Sequence, residues 1–153
     1  MSRAEKRSAA RLAAVQALYQ MEISGAGIAD VLVEFEKHWI GQEIEGDTYK
    51  PAEEGFFRDI VGGVVREQRE LDPMVNDALA AGWPLKRVDA ILRAILRAGA
   101  YELKSRPDVP PKVTITEYGD VAHAFLDRDE ASMVIAVLDK LAHDLRAGDL
   151  AKA

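Results

Sequence analysis

The spacing of apolar residues constrains this chain more than any other feature. Along most of the 153 residues, apolar side chains recur every three or four positions. This period places them on one face of an α-helix, whereas a half-buried β-strand requires alternation. The clearest stripe comprises Ile28, Val31, Leu32, Phe35 and Trp39. The pattern therefore predicts an all-α protein.

About seven helices are expected, and most of them end near a glycine or a proline. The predicted segments are residues 4–24, 28–39, 52–71, 73–81, 86–104, 114–125 and about 130–146. The polar, glycine-containing stretch 41–51 is predicted to be a loop. Residues 147–153 are expected to form a frayed tail. The one β-like cluster, at residues 109–115, is interrupted by prolines, which are rare inside sheets.

Three of the helix starts are predicted from capping signals. Asp72 followed by Pro73 has the form of an N-cap and a proline at the first helical position, so a break between helices is expected there,. Thr114 and Glu117 have the spacing of a capping box,. The acidic residues of 127–130 precede the last apolar stripe, where the helix dipole favours negative charge,.

Length and composition indicate one domain. A chain of 153 residues with 48% hydrophobic residues can bury one core, so we expect a single compact helical bundle over residues 1–153,. No apolar run approaches the roughly 18 residues that a membrane span requires. The chain has no cysteine, and charges interrupt every apolar stretch near its N-terminus. These features predict a cytoplasmic protein.

The sequence contains no recognisable catalytic or metal-binding pattern. His38, His123 and His143 are far apart, and no two of them have the i, i+4 spacing of a helical metal pair,. The acidic residues of 127–130 lack the remainder of a calcium-binding loop,. No glycine-rich phosphate loop follows a predicted strand. We therefore expect neither enzymatic activity nor a metal or cofactor.

The strongest signal outside the core is a basic segment at the start of the first helix. Arg3, Arg7 and Arg11 lie four residues apart, so they are expected on one helix face, with Lys6 as a near neighbour,. The net charge of the whole chain is −6, so nucleic acid would have to bind through this local patch,. An ordinary solvated face and a ridge that contacts phosphates are both compatible with the pattern.

Two residues further along the same helix extend this candidate site. Gln16 offers an amide that can hydrogen-bond a base edge, and Tyr19 offers a ring on which a base can stack,. For these two residues taken alone, partial burial at a helix interface is the preferred explanation.

Several ordered motifs make the chain resemble the NusB family of transcription antitermination factors over about residues 3–145. The motifs are Ala10-Arg11, Val15-Gln16-Ala17-Leu18-Tyr19, Phe56-Phe57-Arg58, Ile95-Leu96-Arg97, Ala100-Tyr101-Glu102-Leu103, Asp108-Val109-Pro110-Pro111-Lys112-Val113 and Val137-Leu138-Asp139-Lys140-Leu141. The run from Ile95 to Val113 is the most specific of them.

The resemblance implies an all-α fold of two packed helical sub-bundles. It also implies binding to the boxA element of nascent ribosomal RNA leader transcripts. The family partner is NusE, a ribosomal protein of the small subunit. The pair joins other Nus factors on RNA polymerase and suppresses termination, without catalysis.

The resemblance also implies positions for the contacts. The family's basic N-terminal arm matches the four basic residues of the first helix, Arg3, Lys6, Arg7 and Arg11. Gln16 lies on the same helix and is assigned to RNA. Tyr19 and Asp129 are assigned to the partner protein, since the family's acidic residue before the last helix matches Asp129.

Two positions depart from the family pattern. Met133 replaces an aromatic residue that can stack on a base, and Ile135 replaces an amide that can read one. A lost stacking ring forfeits about 1–3 kcal/mol for that base. A NusB-like protein-interaction module with weakened or lost RNA binding is therefore the alternative hypothesis. A helical domain attached to an RNA methyltransferase is disfavoured, because no βαβ pattern is present.

Overall fold

A computed structural model describes residues 2–38, 43–44, 47–48, 53–79 and 88–151. Within these residues the chain forms six α-helices: α1 Arg3–Ser24, α2 Ile28–His38, α3 Glu54–Ala78, α4 Ala90–Ser105, α5 Pro111–Phe125 and α6 Arg128–Ala151. The all-α prediction is confirmed. Most of the predicted loop 41–51 lies outside the described residues. Its described part consists of the two-residue strands β1 Glu43–Ile44 and β2 Asp47–Thr48, which pair antiparallel.

The helices form two groups that share α4. Helices α1, α2 and α3 contact one another, and so do α4, α5 and α6. Helix α4 also packs against α1 and α3, and its residues 94–96 and 98–103 are all buried. A helix enclosed by neighbours on several sides must be apolar around most of its surface. The predicted central position of this helix and the two sub-bundles are therefore confirmed.

The predicted break at Asp72 is wrong, because α3 continues through Pro73 to Ala78. The Asp72 carboxylate accepts hydrogen bonds of 2.8 and 2.9 Å from Arg97 on α4, so this side chain binds a neighbouring helix. Leu71 and Val75 are fully buried on either side of the proline. The free energy gained by burying these two side chains on one continuous apolar stripe offsets the loss of the backbone hydrogen bond that proline cannot donate. Within the described residues, six helices therefore replace the predicted seven, and the gap predicted between the segments 73–81 and 86–104 lies outside those residues.

The capping box predicted at Thr114 is also wrong. Helix α5 begins at Pro111, and a proline is favoured at this first helical position because its missing N–H needs no partner there. Thr114 is fully buried inside the helix. The Glu117 carboxylate accepts a 2.7 Å hydrogen bond from the Ser8 hydroxyl on α1, so it joins two helices.

Helix α6 begins as its acidic residues predict. The Asp127 carboxylate accepts a 2.8 Å hydrogen bond from the backbone N–H of Glu130, which satisfies a free donor of the first turn,. At the other end, α6 is kinked at Arg146, whose φ of −135° and ψ of 33° are not helical, and helical backbone resumes beyond the kink as far as Ala151. The Arg146 guanidinium donates to the carbonyls of Pro107 and Val109 at 3.2 and 3.1 Å. This end of α6 is therefore tied to the α4–α5 connection.

One glycine of α3 permits a close approach between helices. A Cβ atom built on Gly63 would lie 2.1 Å from Cζ of Tyr101 on α4, a separation that no real structure allows. The neighbouring Gly62 has open space at the same position. The Tyr101 hydroxyl then donates a 2.7 Å hydrogen bond to Asp59 on α3. Gly63 is therefore required for the close packing of α3 against α4, whereas Gly62 is not.

None of the described helices combines the length and the apolar character that crossing a bilayer requires.

The glycine pair generates a matched stability test. Gly63→Ala should lower the free energy of unfolding by about 1–3 kcal/mol, because the added methyl overpacks the Tyr101 ring. Gly62→Ala should leave it unchanged or raise it by up to about 1 kcal/mol, since alanine is the better helix former. Urea denaturation followed by circular dichroism measures both. Equal effects of the two substitutions would contradict the proposed packing.

Candidate nucleic-acid interface

The N-terminal end of α1 carries the most exposed cations of the candidate site. The helix is capped by Ser2, whose hydroxyl accepts a 3.1 Å hydrogen bond from the backbone N–H of Glu5. The Arg3 side chain is 76% exposed, and its Nε lies 3.9 Å from Oε2 of Glu53. Lys6 is half-buried, and among the described residues no carboxylate is within ion-pairing distance of it. Both cations are accessible to an anionic ligand.

Arg7 lies nearer the protein interior, with a side chain that is only 14% exposed. Its guanidinium carbon stands 4.5 Å from the centroid of the Phe56 ring, in cation–π geometry,. Its Nε donates to Oε2 of Glu53 at 3.2 Å, and its Nη1 lies 3.7 Å from Oδ2 of Asp108. Arg7 thus reaches the surface as a partly neutralised cation.

Arg11 does not lie on the exposed face, so the prediction of three arginines on one solvated surface is wrong. Its side chain is 2% exposed and binds the fully buried Glu102 carboxylate through two hydrogen bonds, of 2.8 and 3.0 Å. Its Nη1 is also 3.6 Å from Oε1 of Glu117. Burial by itself would lower the pKa of Arg11, but the hydrogen bond and charge of Glu102 outweigh it and raise the pKa. This arginine joins α1 to α4.

Sequence reasoning missed the aromatic centre of this cluster. The guanidinium carbons of Arg7, Arg11 and Arg106 lie 4.5, 4.9 and 4.8 Å from the centroid of the buried Phe56 ring. Arg106 also donates to Asp59 and Asp108, at 3.0 and 2.9 Å. The motif Phe56-Phe57-Arg58 marked the position of the ring, but nothing in the sequence indicated which cations would meet it.

Gln16 and Tyr19 are brought together in a surface groove of about 490 Å³ between α1, α4 and α5. The residues lining the groove are Gln16, Tyr19, Gln20, Ile23, Ser24, Ile91 and Phe125. Phe125 is 42% exposed and had not been selected from the sequence. Phe125 continues the helical spacing of the buried residues Tyr118, Val121 and Ala122, so the sequence pattern indicated burial and gave no signal of its exposure. The groove therefore presents the aromatic rings of Tyr19 and Phe125 beside the side-chain amides of Gln16 and Gln20.

Asp129 is exposed in the first turn of α6. It is absent from the groove lining, although it follows Phe125 by four residues. Next to it, partial burial and the nearby charges of Asp127 and Asp89 raise the pKa of Glu130. This end of the bundle is therefore acidic.

The two positions that depart from the family pattern pack between helices. Ile135 is half-buried, and its Cγ1 would lie 3.1 Å from a Cβ atom built on Gly119 of α5. Met133 is half-buried against the core. Because Gly119 has no Cβ atom, it provides the room for Ile135.

In the part of the chain that the structure describes, no group of three or more acidic or histidine side chains is close enough to hold a metal ion.

The fold and the site define a small helical protein with a basic helix terminus and an aromatic groove on its surface. The model of the NusB family matches residues 8–143, and the chain therefore belongs to this family. It is 65% identical over 150 residues to the transcription antitermination protein NusB of Nitrobacter hamburgensis, covering 98% of this chain and 94% of that protein. Identity to the corresponding protein of Bradyrhizobium diazoefficiens is 61% over 150 residues, covering 98% and 91%.

Solved structures share the fold at lower identity. T. maritima NusB has a TM-score of 0.77 and 23% identity, with 95% of this chain and 96% of that chain covered. The NusB chain in a crystal structure of antitermination factors NusB and NusE in complex with dsRNA has a TM-score of 0.76 and 21% identity, with 94% and 99% covered. These likenesses establish the fold.

The buried pair of Arg11 and Glu102 generates the second prediction. Arg11→Met should lower the free energy of unfolding by about 3–5 kcal/mol, because it leaves a buried carboxylate without its partner. Adding Glu102→Met to this variant should recover part of the loss, since both charges are then removed. Thermal and urea denaturation measure the stability of the unaltered protein, of each single variant and of the double variant, which together form a double-mutant cycle. As a control, Arg58→Met removes an exposed arginine that pairs with Glu36 and should change stability little.

Additive effects of the two substitutions would show that Arg11 and Glu102 do not stabilise the fold as a pair.

Proposed function

We propose that this protein is a non-catalytic transcription antitermination factor that binds boxA-type RNA of nascent ribosomal transcripts together with NusE. Support comes from membership of the NusB family and from relatives 61–65% identical that are named transcription antitermination proteins. The observation that carries the proposal is the basic ridge at the start of α1, formed by Arg3, Lys6 and Arg7. A role on nascent transcripts requires a cytoplasmic location with the transcription machinery.

The basic ridge is suited to phosphate groups. Arg3 is largely exposed, and its planar guanidinium can donate two parallel hydrogen bonds to one phosphate,. Lys6 adds a second charge, and the N-terminus of α1 adds the positive end of a helix dipole. The overall charge of −6 opposes long-range attraction of RNA,. Binding through this ridge should therefore be modest and strongly dependent on salt.

The groove is suited to bases of a single strand. Gln16 can donate to or accept from a base edge, and the exposed ring of Phe125 provides a surface for stacking,. Arg3 and Gln16 are 13 residues apart on one helix, which corresponds to about 20 Å. The same 13 residues turn the side chains by about 140° around the axis, so a single strand that reaches both the ridge and the groove must cross over α1. Arg11 is excluded from these contacts by its burial.

The partner protein is assigned to the acidic end of the bundle. Tyr19 in the groove and exposed Asp129 are proposed to contact NusE, and the resulting pair joins RNA polymerase with other Nus factors. Recognition of RNA by both proteins compensates for the small number of accessible cations on this chain. Affinity for RNA should consequently rise when NusE is present.

A second candidate function is a NusB-like protein-interaction module with weakened or lost RNA binding. The packing of Ile135 against Gly119 favours it, because an apolar side chain in a helix interface cannot read a base. The burial of Arg11 removes a further cation from the surface. This candidate keeps NusE as partner and predicts no measurable RNA affinity for this chain.

An RNA titration distinguishes the two candidates. The protein should bind a labelled single-stranded boxA RNA, and NusE should increase the affinity. Arg3→Gln combined with Lys6→Gln should weaken binding and reduce the slope of log K against log salt by about 1.4, which is 0.7 for each lost phosphate contact. Arg66→Gln combined with Arg69→Gln removes the same charge from α3, about 20 Å along that helix from Glu53, and serves as the control.

Equal slopes of log K against log salt for the two double variants would contradict the proposal that the basic ridge binds RNA phosphates. Retention of NusE without RNA binding at any salt concentration would establish the second candidate.

A further inference from the structure

Glu53 holds an unusual position at the start of α3. It occupies the N-cap position, with φ −72° and ψ 103°, but its side chain makes no capping hydrogen bond to its own helix. Its carboxylate instead extends to α1, where Oε2 lies 3.2 Å from Nε of Arg7 and 3.9 Å from Nε of Arg3. Its backbone N–H donates a 3.1 Å hydrogen bond to the carbonyl of Lys6. One acidic residue thus contacts all three members of the basic ridge.

The second carboxylate near Arg7 has a different principal partner. Asp108 lies 3.7 Å from Nη1 of Arg7, but it accepts hydrogen bonds of 3.0 and 2.9 Å from Arg106. The hydrogen bonds from Arg106 hold the pKa of Asp108 below its usual range. The negative charge of Asp108 is therefore largely neutralised by the neighbouring Arg106. Glu53 has no described cationic partner other than Arg3 and Arg7.

A phosphate bound between Arg3 and Arg7 would meet the carboxylate of Glu53. The Glu53 side chain is 32% exposed and the Arg3 side chain 76%, so solvent and an anionic ligand reach both. Two anions cannot use the same guanidinium hydrogens. The ligand must displace Glu53 or bind beside a like charge at a distance of a few ångströms, and either outcome weakens binding.

Arg7 does not depend on Glu53 for its orientation. The Phe56 ring at 4.5 Å and the Asp108 carboxylate at 3.7 Å hold the guanidinium from two other directions. Removal of the Glu53 charge should therefore free a cation that remains positioned, and it should not release a disordered side chain.

We infer that Glu53 is an internal competitor for RNA phosphate at Arg3 and Arg7, and that it sets the RNA affinity of the basic ridge. The inference rests on the proposed RNA-binding function. It assigns to one carboxylate a role in limiting affinity, so that stable binding requires the additional contacts of a partner protein.

The test compares two isosteric substitutions of neighbouring residues. Glu53→Gln should raise affinity for single-stranded boxA RNA about fivefold at low salt, the effect of one unit charge at about 4 Å in water. The slope of log K against log salt should become steeper by about 0.7, for one additional phosphate contact. Glu54→Gln makes the same change of net charge, but Glu54 pairs only weakly with Arg58, at 3.9 Å. This control should leave both quantities close to those of the unaltered protein.

The test is completed by asking whether the effect of Glu53→Gln requires Arg3 and Arg7. In an Arg3→Gln and Arg7→Gln background, Glu53→Gln should have no effect on RNA affinity, because the contested cations are absent. Circular dichroism and thermal melting verify that each variant is folded. Equal affinities and slopes for Glu53→Gln and Glu54→Gln would overturn the inference if the unaltered protein binds RNA. A lack of RNA binding by the unaltered protein and by every variant would overturn the proposed function and, with it, the inference.

Discussion

The rest of the structure depends on the buried ion pair between Arg11 and Glu102. It joins the first helix to the central helix α4, with both guanidinium–carboxylate hydrogen bonds at or below 3.0 Å and both side chains almost fully buried. A bidentate pair of this kind fixes orientation as well as distance. Either charge alone in that environment would be strongly destabilising. The pair therefore holds α1 in one rotational setting against the second group of helices.

The position of each arginine along α1 explains the arrangement of the basic ridge. Residues four apart on an α-helix are displaced by only about 40° around the axis, so Arg3, Arg7 and Arg11 lie along one side of the helix. Further along the helix this side is buried, since Ala10 and Ala14 on it are fully buried, and it becomes accessible only toward the N-terminus of α1. The side chains of Arg11, Arg7 and Arg3 are accordingly 2%, 14% and 76% exposed.

Local patterns predicted the elements, but they could not predict which residues meet across the fold. The apolar stripes located the helices and identified α4 as the central one, and the acidic residues of 127–130 located the start of α6. The partner of Arg11 is 91 positions away in the chain, so no local pattern could indicate that this arginine is buried. Asp72 and Glu117 failed as capping signals for the same reason, because each binds another helix. Of the candidate site, Arg3, Lys6, Gln16 and Tyr19 could be selected from the sequence, whereas Phe125 and Glu53 required the tertiary structure.

If RNA binds both the basic ridge and the aromatic groove, single-stranded boxA RNA should perturb both surfaces at once. Chemical-shift mapping of the isotopically labelled protein during titration with this RNA measures the effect residue by residue. The largest backbone amide shifts should fall at residues 3–8 and at Glu53, with a second group around Gln16 and Phe125. Shifts confined to α2 and the C-terminal half of α3, with none at the start of α1, would show that RNA binds elsewhere.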